Sequence, residues 1–222
     1  MDARFQTGIW LGWAKGLPET LIRARPPLSV GYAWALLNAG ALEGAEARLR
    51  DAEQALGAVE DGAQIRALLA SIATARAYLA QAFGDVAATL ARGQEALDLL
   101  TEEDHLRRGP AAALVGLAQW ANGDLEAAYR SLAAAMAGFR KAGNPNFAIS
   151  CTYGLADIRV TQGRLRAAIG AYESSLQLAL NEGGPMLPGA SDMYLGLGEL
   201  CREQGDLEAA ERHFLKSESL GE

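Results

Sequence analysis

The chain has 222 residues, half of them hydrophobic, and a formal net charge of -7. That is enough apolar material to bury a core without disulfide or metal staples, and the acidic balance excludes a general electrostatic footprint for nucleic acid or anionic membrane. The opening MDARFQTGIW lacks the basic-then-apolar order of a signal peptide, and no uncharged apolar run reaches the ~18 residues of a membrane span, so a cytoplasmic protein without membrane contact is expected.

In chain order, residues 1–27 read as a capping helix punctuated by Leu17-Pro18 and Pro26-Pro27. A recurring turn then sets the frame: GALEGA at Gly40, GDVAAT at Gly84, GDLEAA at Gly123, GRLRAA at Gly163 and GDLEAA again at Gly205. The steps between these glycines are 44, 39, 40 and 42 residues, a period that signals stacked structural repeats. Seven residues before each glycine stands Ala33, Ala77, Gly116, Ala156 or Gly198. Two after it comes Leu42, Val86, Leu125, Leu165 or Leu207, and five after it Ala45, Thr89, Ala128, Ala168 or Ala210. Leu49, Gly93, Leu132, Tyr172 and Phe214 occupy plus nine; Ala52, Ala96, Ala135, Ser175 and Ser217 occupy plus twelve.

Stretches such as AQIRALLASIATARAYLAQAF and AAALVGLAQWAN carry apolar residues at helical spacing. The glycine is expected to end a first helix in the left-handed conformation, with Asp85, Asp124 or Asp206 capping a second. The small positions allow close approach of the two helices, and the bulky ones fill the groove between pairs. The predicted fold is all-α: a right-handed superhelical solenoid in a single domain, with repeats at 28–58, 61–101, 105–143, 144–183 and 188–222. NEGGPMLPGA, at Asn181–Ala190, is the loosest connection.

This spacing resembles the tetratricopeptide repeat, in a variant with longer helices than its usual period of about 34 residues and without the proline that commonly closes the motif. A narrower resemblance lies in WAKGLPETLIRARPPLSVGYAW, with Trp13, Leu17-Pro18, Pro26, Leu28 and Ala33-Trp34 running into the repeats. It is similar to the region after the ATPase module in MalT-like regulators of the LuxR family. That layout implies a nucleotide-binding module, a helical-repeat sensor and a C-terminal helix-turn-helix, of which this chain corresponds to the sensor. Lys15, Lys141 and Lys216 all lack the context of a P-loop, and no basic recognition helix follows the repeats. The resemblance therefore implies no cofactor in this chain, with ATP bound only by a missing N-terminal module of the parent, and no direct nucleic-acid contact. In the best-known members the inducer is a maltooligosaccharide.

Reactive chemistry is sparse. His105 and His213 belong to no metal-ligand spacing, and TEEDHLRR reads as a solvated charge run. Cys151 and Cys201 sit among apolar residues as isolated thiols. No catalytic residue, metal site or enzymatic activity is expected.

A ligand site is expected on the concave side, where first-helix positions ten, six and three before the glycine point. These positions give Thr74, Tyr78 and Gln81, then Leu117 and Trp120, then Tyr153 and Asp157, then Glu199 and Arg202. Aromatic faces beside carboxylate, amide and guanidinium suit a sugar or other planar small-molecule inducer, or a peptide of a protein partner. The same aromatics also fit an inter-repeat core. Tyr153, Asp157 and Trp120 rank first, and Arg159 is placed on another face. The last helix leaves Leu207, Phe214 and Leu215 on a stacking face, which implies further repeats in a parent protein, a partner, or self-association. Two functions follow: the sensing and protein-interaction region of an ATP-dependent LuxR-type transcriptional regulator, or a stand-alone adaptor that grips a partner's peptide or helix.

Overall fold

The computed structural model describes residues 3–181 and 189–221. The connection at Asn181–Ala190 lies outside the described residues except at its ends. Every regular element among the described residues is helical. Close contacts divide the chain into two compact units, Met1–Arg107 and Arg108–Glu222.

The first unit holds α1 (Ala3–Gly16), α2 (Glu19–Arg23), α3 (Pro26–Asn38), α4 (Leu42–Gln54), α5 (Gly62–Ala82) and α6 (Val86–Leu99). The leading segment is helical in two pieces, because Pro18 disfavours helical backbone at Leu17 and itself becomes the extended N-cap of α2. Proline returns usefully at Pro26, opening α3 where no N–H is required. α3 pairs with α4 and α5 with α6, and α5 packs on the first pair around a core of Leu37, Leu49, Leu68 and Ile72. Arg76 on α5 makes a forked contact with Glu53 on α4, at 2.6 and 2.8 Å, and reaches Glu46 at 3.3 Å. Those hydrogen bonds hold the guanidinium charge more firmly than usual.

The second unit carries α7 (His105–Ala121, whose first three residues precede the division), α8 (Leu125–Lys141), α9 (Pro145–Thr161), α10 (Leu165–Asn181), α11 (Ala190–Glu203) and α12 (Leu207–Gly221). One core cluster gathers Ala128, Leu132, Leu155 and Ile158. Another gathers Ile149, Tyr172, Met193 and Leu197. Cys151 is buried, which pushes its thiol up to about 11, whereas Cys201 is half-buried. His213 rests against the Tyr194 ring with centroids 6.0 Å apart.

The turn that frames the repeats is the same object each time. Gly40, Gly84, Gly123, Gly163 and Gly205 all have φ between 71° and 84°, the left-handed region that penalises a Cβ. In all five the N–H of the following residue donates to the carbonyl five residues back, as from Asp85 to Ala80 at 2.8 Å and Asp124 to Gln119 at 2.9 Å. This is the Schellman closure, which satisfies carbonyls left open at a helix end. Gly143, with φ 72°, ends α8 the same way outside the repeat frame.

The predicted caps form too. Asp85, Asp124 and Asp206 accept the N–H of Ala88, Ala127 and Ala209 at 2.9–3.0 Å. In the first repeat the cap position is Ala41, which has no side chain to offer. Its backbone, φ -87° and ψ 67°, nearly superposes on that of Asp124, φ -82° and ψ 75°. Ala41→Asp is therefore expected to stabilise the protein by about 1 kcal/mol. Urea unfolding of the variant beside the wild type measures this; an unchanged midpoint refutes it.

The small residues act as contact points. Ala33, Ala77 and Ala156 are fully buried. A Cβ on Gly116 would lie 2.8 Å from Leu132 Cγ, and one on Gly198 would lie 2.5 Å from Phe214 Cε1. Minus seven thus receives the plus-nine side chain of its own repeat in both places.

Candidate functional site

The sequence frame nominates one face of the first helix in each repeat, and the structure shows what each nominated side chain does there. In the first unit, Thr74 is buried and its hydroxyl donates to the Ala70 carbonyl at 2.8 Å. Tyr78 is exposed and meets the Trp34 ring edge-on, with centroids 6.5 Å apart, while Trp34 Nε1 donates to Ser71 Oγ at 2.9 Å. Gln81 is half-buried at the end of α5.

In the second unit, Leu117 is half-buried on α7. Trp120 packs on the cluster of Leu132, Leu155 and Ile158, and the Cα of Gly154 comes so near that a Cβ there would lie 3.5 Å from the indole.

Tyr153 and Asp157 on α9 and Glu199 on α11 are brought together. α9 and α11 pack against each other. Tyr153 is 38% exposed, and its ring stands edge-on to Tyr172 of α10 at 6.3 Å. Its phenol is pushed above the usual tyrosine value by partial burial and then by Glu199, Asp157 and Asp192. Tyr172, only 3% exposed, is raised further, by burial and then by Tyr153, Asp157 and Glu199. Gly196 makes room for it: a Cβ there would stand 2.3 Å from Tyr172 Cζ.

None of these three carboxylates has a basic partner among the described residues. Arg159 lies on another face, its guanidinium 3.6 Å from the centroid of the Tyr129 ring and 2.8 Å from Gln162 Oε1. Arg202 is exposed and bonds to Glu203 at 3.4 Å. The face is thus an open aromatic ring bordered by unneutralised carboxylates. It offers hydrogen-bond acceptors and negative potential, with no nucleophile–base pair. No group of three metal-ligating side chains is placed to hold an ion among the described residues, and no helix there is long and apolar enough to cross a membrane.

Two members of this face escape the sequence frame. Asp192 lies one helical turn before Leu195, the position-ten residue of its repeat, and extending the frame by three residues would have reached it. Tyr172 occupies plus nine and was assigned to groove filling; nothing local distinguishes its hydroxyl end from the hydrophobic plus-nine residues. At the last repeat, Leu207 and Leu215 are 67% and 58% exposed and border a shallow groove with Leu195, Arg202 and Phe214.

Helix pairs joined by a glycine turn, with small residues seven before it and five after it, define a tetratricopeptide-like helical repeat. The model of the MalT-like TPR region matches residues 70–222, and the chain belongs to that family. No curated protein sequence matches significantly. Among solved structures, BtubC (BKLC) from P. vanneervenii is similar over 99% of this chain and 91% of its own, with TM-score 0.72 and 16% identity. A Rap protein complexed with competence and sporulation factor matches 94% of this chain and 57% of its own, with TM-score 0.69 and 15% identity. A putative kinesin light chain from Podosopora anserina, with nearly identical TPR-like repeats, covers 90% of this chain and 96% of its own at TM-score 0.64 and 15% identity. At these identities the likeness is one of fold.

Proposed function

We propose that the chain is the signal-sensing and protein-interaction region of an ATP-dependent LuxR-type transcriptional regulator. It binds its inducer or partner on the face built by α9 and α11. One observation carries this reading: Tyr153 presents an open ring beside Asp157, Asp192 and Glu199, which form no ion pair among the described residues. Membership of the MalT-like TPR region supports the regulatory setting, and the Rap protein complex is a precedent for a ligand held by this fold. The scaffold itself is an interaction surface and performs no catalysis. A ligand that spans α9 and α11 binds one packing of these helices better than another, and that differential affinity shifts the population the rest of the regulator encounters.

Thermal unfolding against a panel of sugars, metabolites and candidate partner proteins tests the face. A ligand at ~100 times its dissociation constant adds roughly 2.7 kcal/mol to the folded state, a shift of several degrees. The expected hit is saturable and is lost in Tyr153→Ala. A hit indifferent to Tyr153→Ala and to Glu199→Ala places recognition elsewhere. Reading the complete gene tests the setting: a P-loop upstream and a helix-turn-helix downstream support it, and their absence overturns it.

A further inference from the structure

We infer that the groove on α11 and α12 docks an arginine-bearing amphipathic helix of a partner protein, in the register that α5 uses against α3 and α4. Its occupant is independent of the ligand proposed above for α9 and α11.

In the first unit the equivalent surface is covered. Leu68, Ile72, Ala75 and Leu79 of α5 form one buried cluster with Val30, Leu37, Ala45 and Leu49 of α3 and α4. Arg76, next to Ala75, spans two carboxylates of α4: Glu53 at 2.6 and 2.8 Å, and Glu46 at 3.3 Å. Glu46 and Glu53 stand at plus six and plus thirteen from Gly40, two turns apart on one face of α4. A helix that covers such a pair carries apolar residues at the spacing of Leu68, Ile72 and Leu79, a small residue at Ala75, and arginine directly after it.

The last repeat presents the same receiving surface without a cover. Counted from Gly205, Leu195 takes the place of Val30, Ala210 of Ala45, Phe214 of Leu49, and Glu211 and Glu218 of Glu46 and Glu53. All five line the groove. Leu195 is 38% exposed where Val30 is 6% exposed, and Leu207 and Leu215 add exposed apolar surface at its border. Glu211 and Glu218 are exposed and form no ion pair among the described residues. Arg202 stands where the first repeat has Leu37, and it is engaged with Glu203 at 3.4 Å.

The other contacts between repeats show why arginine is required. Tyr129 and Met136 of α8 pack with Leu155 of α9, and Ile169 and Leu176 of α10 pack with Leu197 of α11. These pairs occupy plus six and plus thirteen, and Leu155 and Leu197 stand eight residues before the next turn, as Arg76 does. Apolar pairs thus receive leucine, and the glutamate pair of α4 receives arginine. Leucine against Glu211 and Glu218 would desolvate two carboxylates and offer no donor, whereas a guanidinium fork serves both. A second copy of this chain supplies no such helix. Its α5 is occupied by its own α3 and α4, and the equivalent place in the other first helices holds Tyr32, Val115, Leu155 or Leu197. The fitting occupant is therefore a partner's helix laid into the groove by its apolar face.

The probe is a labelled peptide with the α5 sequence, GAQIRALLASIATARAYLAQA, titrated into the full chain and followed by fluorescence anisotropy. It is expected to bind about tenfold more tightly than its Arg76→Gln counterpart, and to weaken with added salt. An Arg66→Gln peptide, altered at an exposed position of α5, is expected to bind as the parent does. In the protein, Glu211→Gln combined with Glu218→Gln is expected to erase the preference for Arg76, and Leu207→Asp to weaken every peptide. All three positions are exposed, and urea midpoints show that these variants remain folded. Equal affinity for the parent and Arg76→Gln peptides, a preference that survives the double Gln variant, or no binding of any peptide overturns the inference. So does a dimer of the free chain, seen by sedimentation, that Leu207→Asp dissociates, because it would assign the groove to a second copy.

Discussion

Leu132→Ala is expected to lower the unfolding free energy of the Arg108–Glu222 unit by about 3–4 kcal/mol, in the upper part of the range for large-to-small core substitutions. Leu132 is 3% exposed and is gripped by glycine on two sides. A Cβ on Gly116 of α7 would lie 2.8 Å from its Cγ, and one on Gly154 of α9 would lie 2.9 Å from Cδ1. Both neighbouring helices therefore approach backbone-first. No side chain at either glycine can swing in to fill the void, and rigid helices collapse poorly, so the cavity persists. Trp120, packed on the same cluster, loses support as well. Urea unfolding followed by far-UV circular dichroism measures the effect. Leu132→Met, which keeps the volume, is expected to cost less than about 1.5 kcal/mol. A loss below that value for the alanine variant would mean that α7 and α9 can close the gap, contrary to the packing described.

Gly196→Ala is expected to destabilise the same unit by about 2 kcal/mol, although alanine is the better helix former. The helix preference alone favours alanine by about 1 kcal/mol. Against it stands a Cβ placed 2.3 Å from Tyr172 Cζ and 2.6 Å from its hydroxyl, far inside van der Waals contact. The ring cannot retreat freely, because it is buried and packs edge-on with Tyr153. Overpacking of this kind costs about 1–3 kcal/mol, and a ring carbon this close belongs at the upper end. The decisive measurement is a double-mutant cycle. In a Tyr172→Leu background the clash disappears, and Gly196→Ala is expected to become neutral or stabilising. Additive losses would show that Tyr172 is not what the glycine accommodates. Because Tyr172 borders the proposed recognition face, Gly196→Ala is also expected to weaken ligand binding, which links a core contact to function.

The two predictions share a rule of size. Bulky Leu132 and Tyr172, at plus nine, each meet a glycine nine residues before the next turn, Gly154 and Gly196. Leu49 and Ala75 stand in the same relation in the first unit and belong to one buried cluster. In the last repeat Phe214 fits against Gly198 of its own repeat.

The repeat, its turns and its caps are legible in the sequence because each acts through local backbone chemistry. A left-handed turn needs glycine, an N-cap needs a short side-chain acceptor, and a close helix contact needs a small residue; the glycine recurs in all five periods and the Asp cap in three. Gly143 closes α8 with the same geometry but lies between repeats, outside the frame set by the five turn glycines. The recognition face is legible in part. Periodicity places Tyr153, Asp157, Glu199 and Trp120 on equivalent helix faces, and by spacing alone Trp120 and Tyr153 are interchangeable. Tertiary packing separates them: α9 presses Gly154 towards the indole of Trp120, whereas Tyr153 keeps an open ring. It also brings Asp192 and Tyr172 from two further positions of the frame to the same acidic face. Spacing along a helix specifies direction, but burial and charge pairing depend on what arrives from other helices, and only the folded chain decides that.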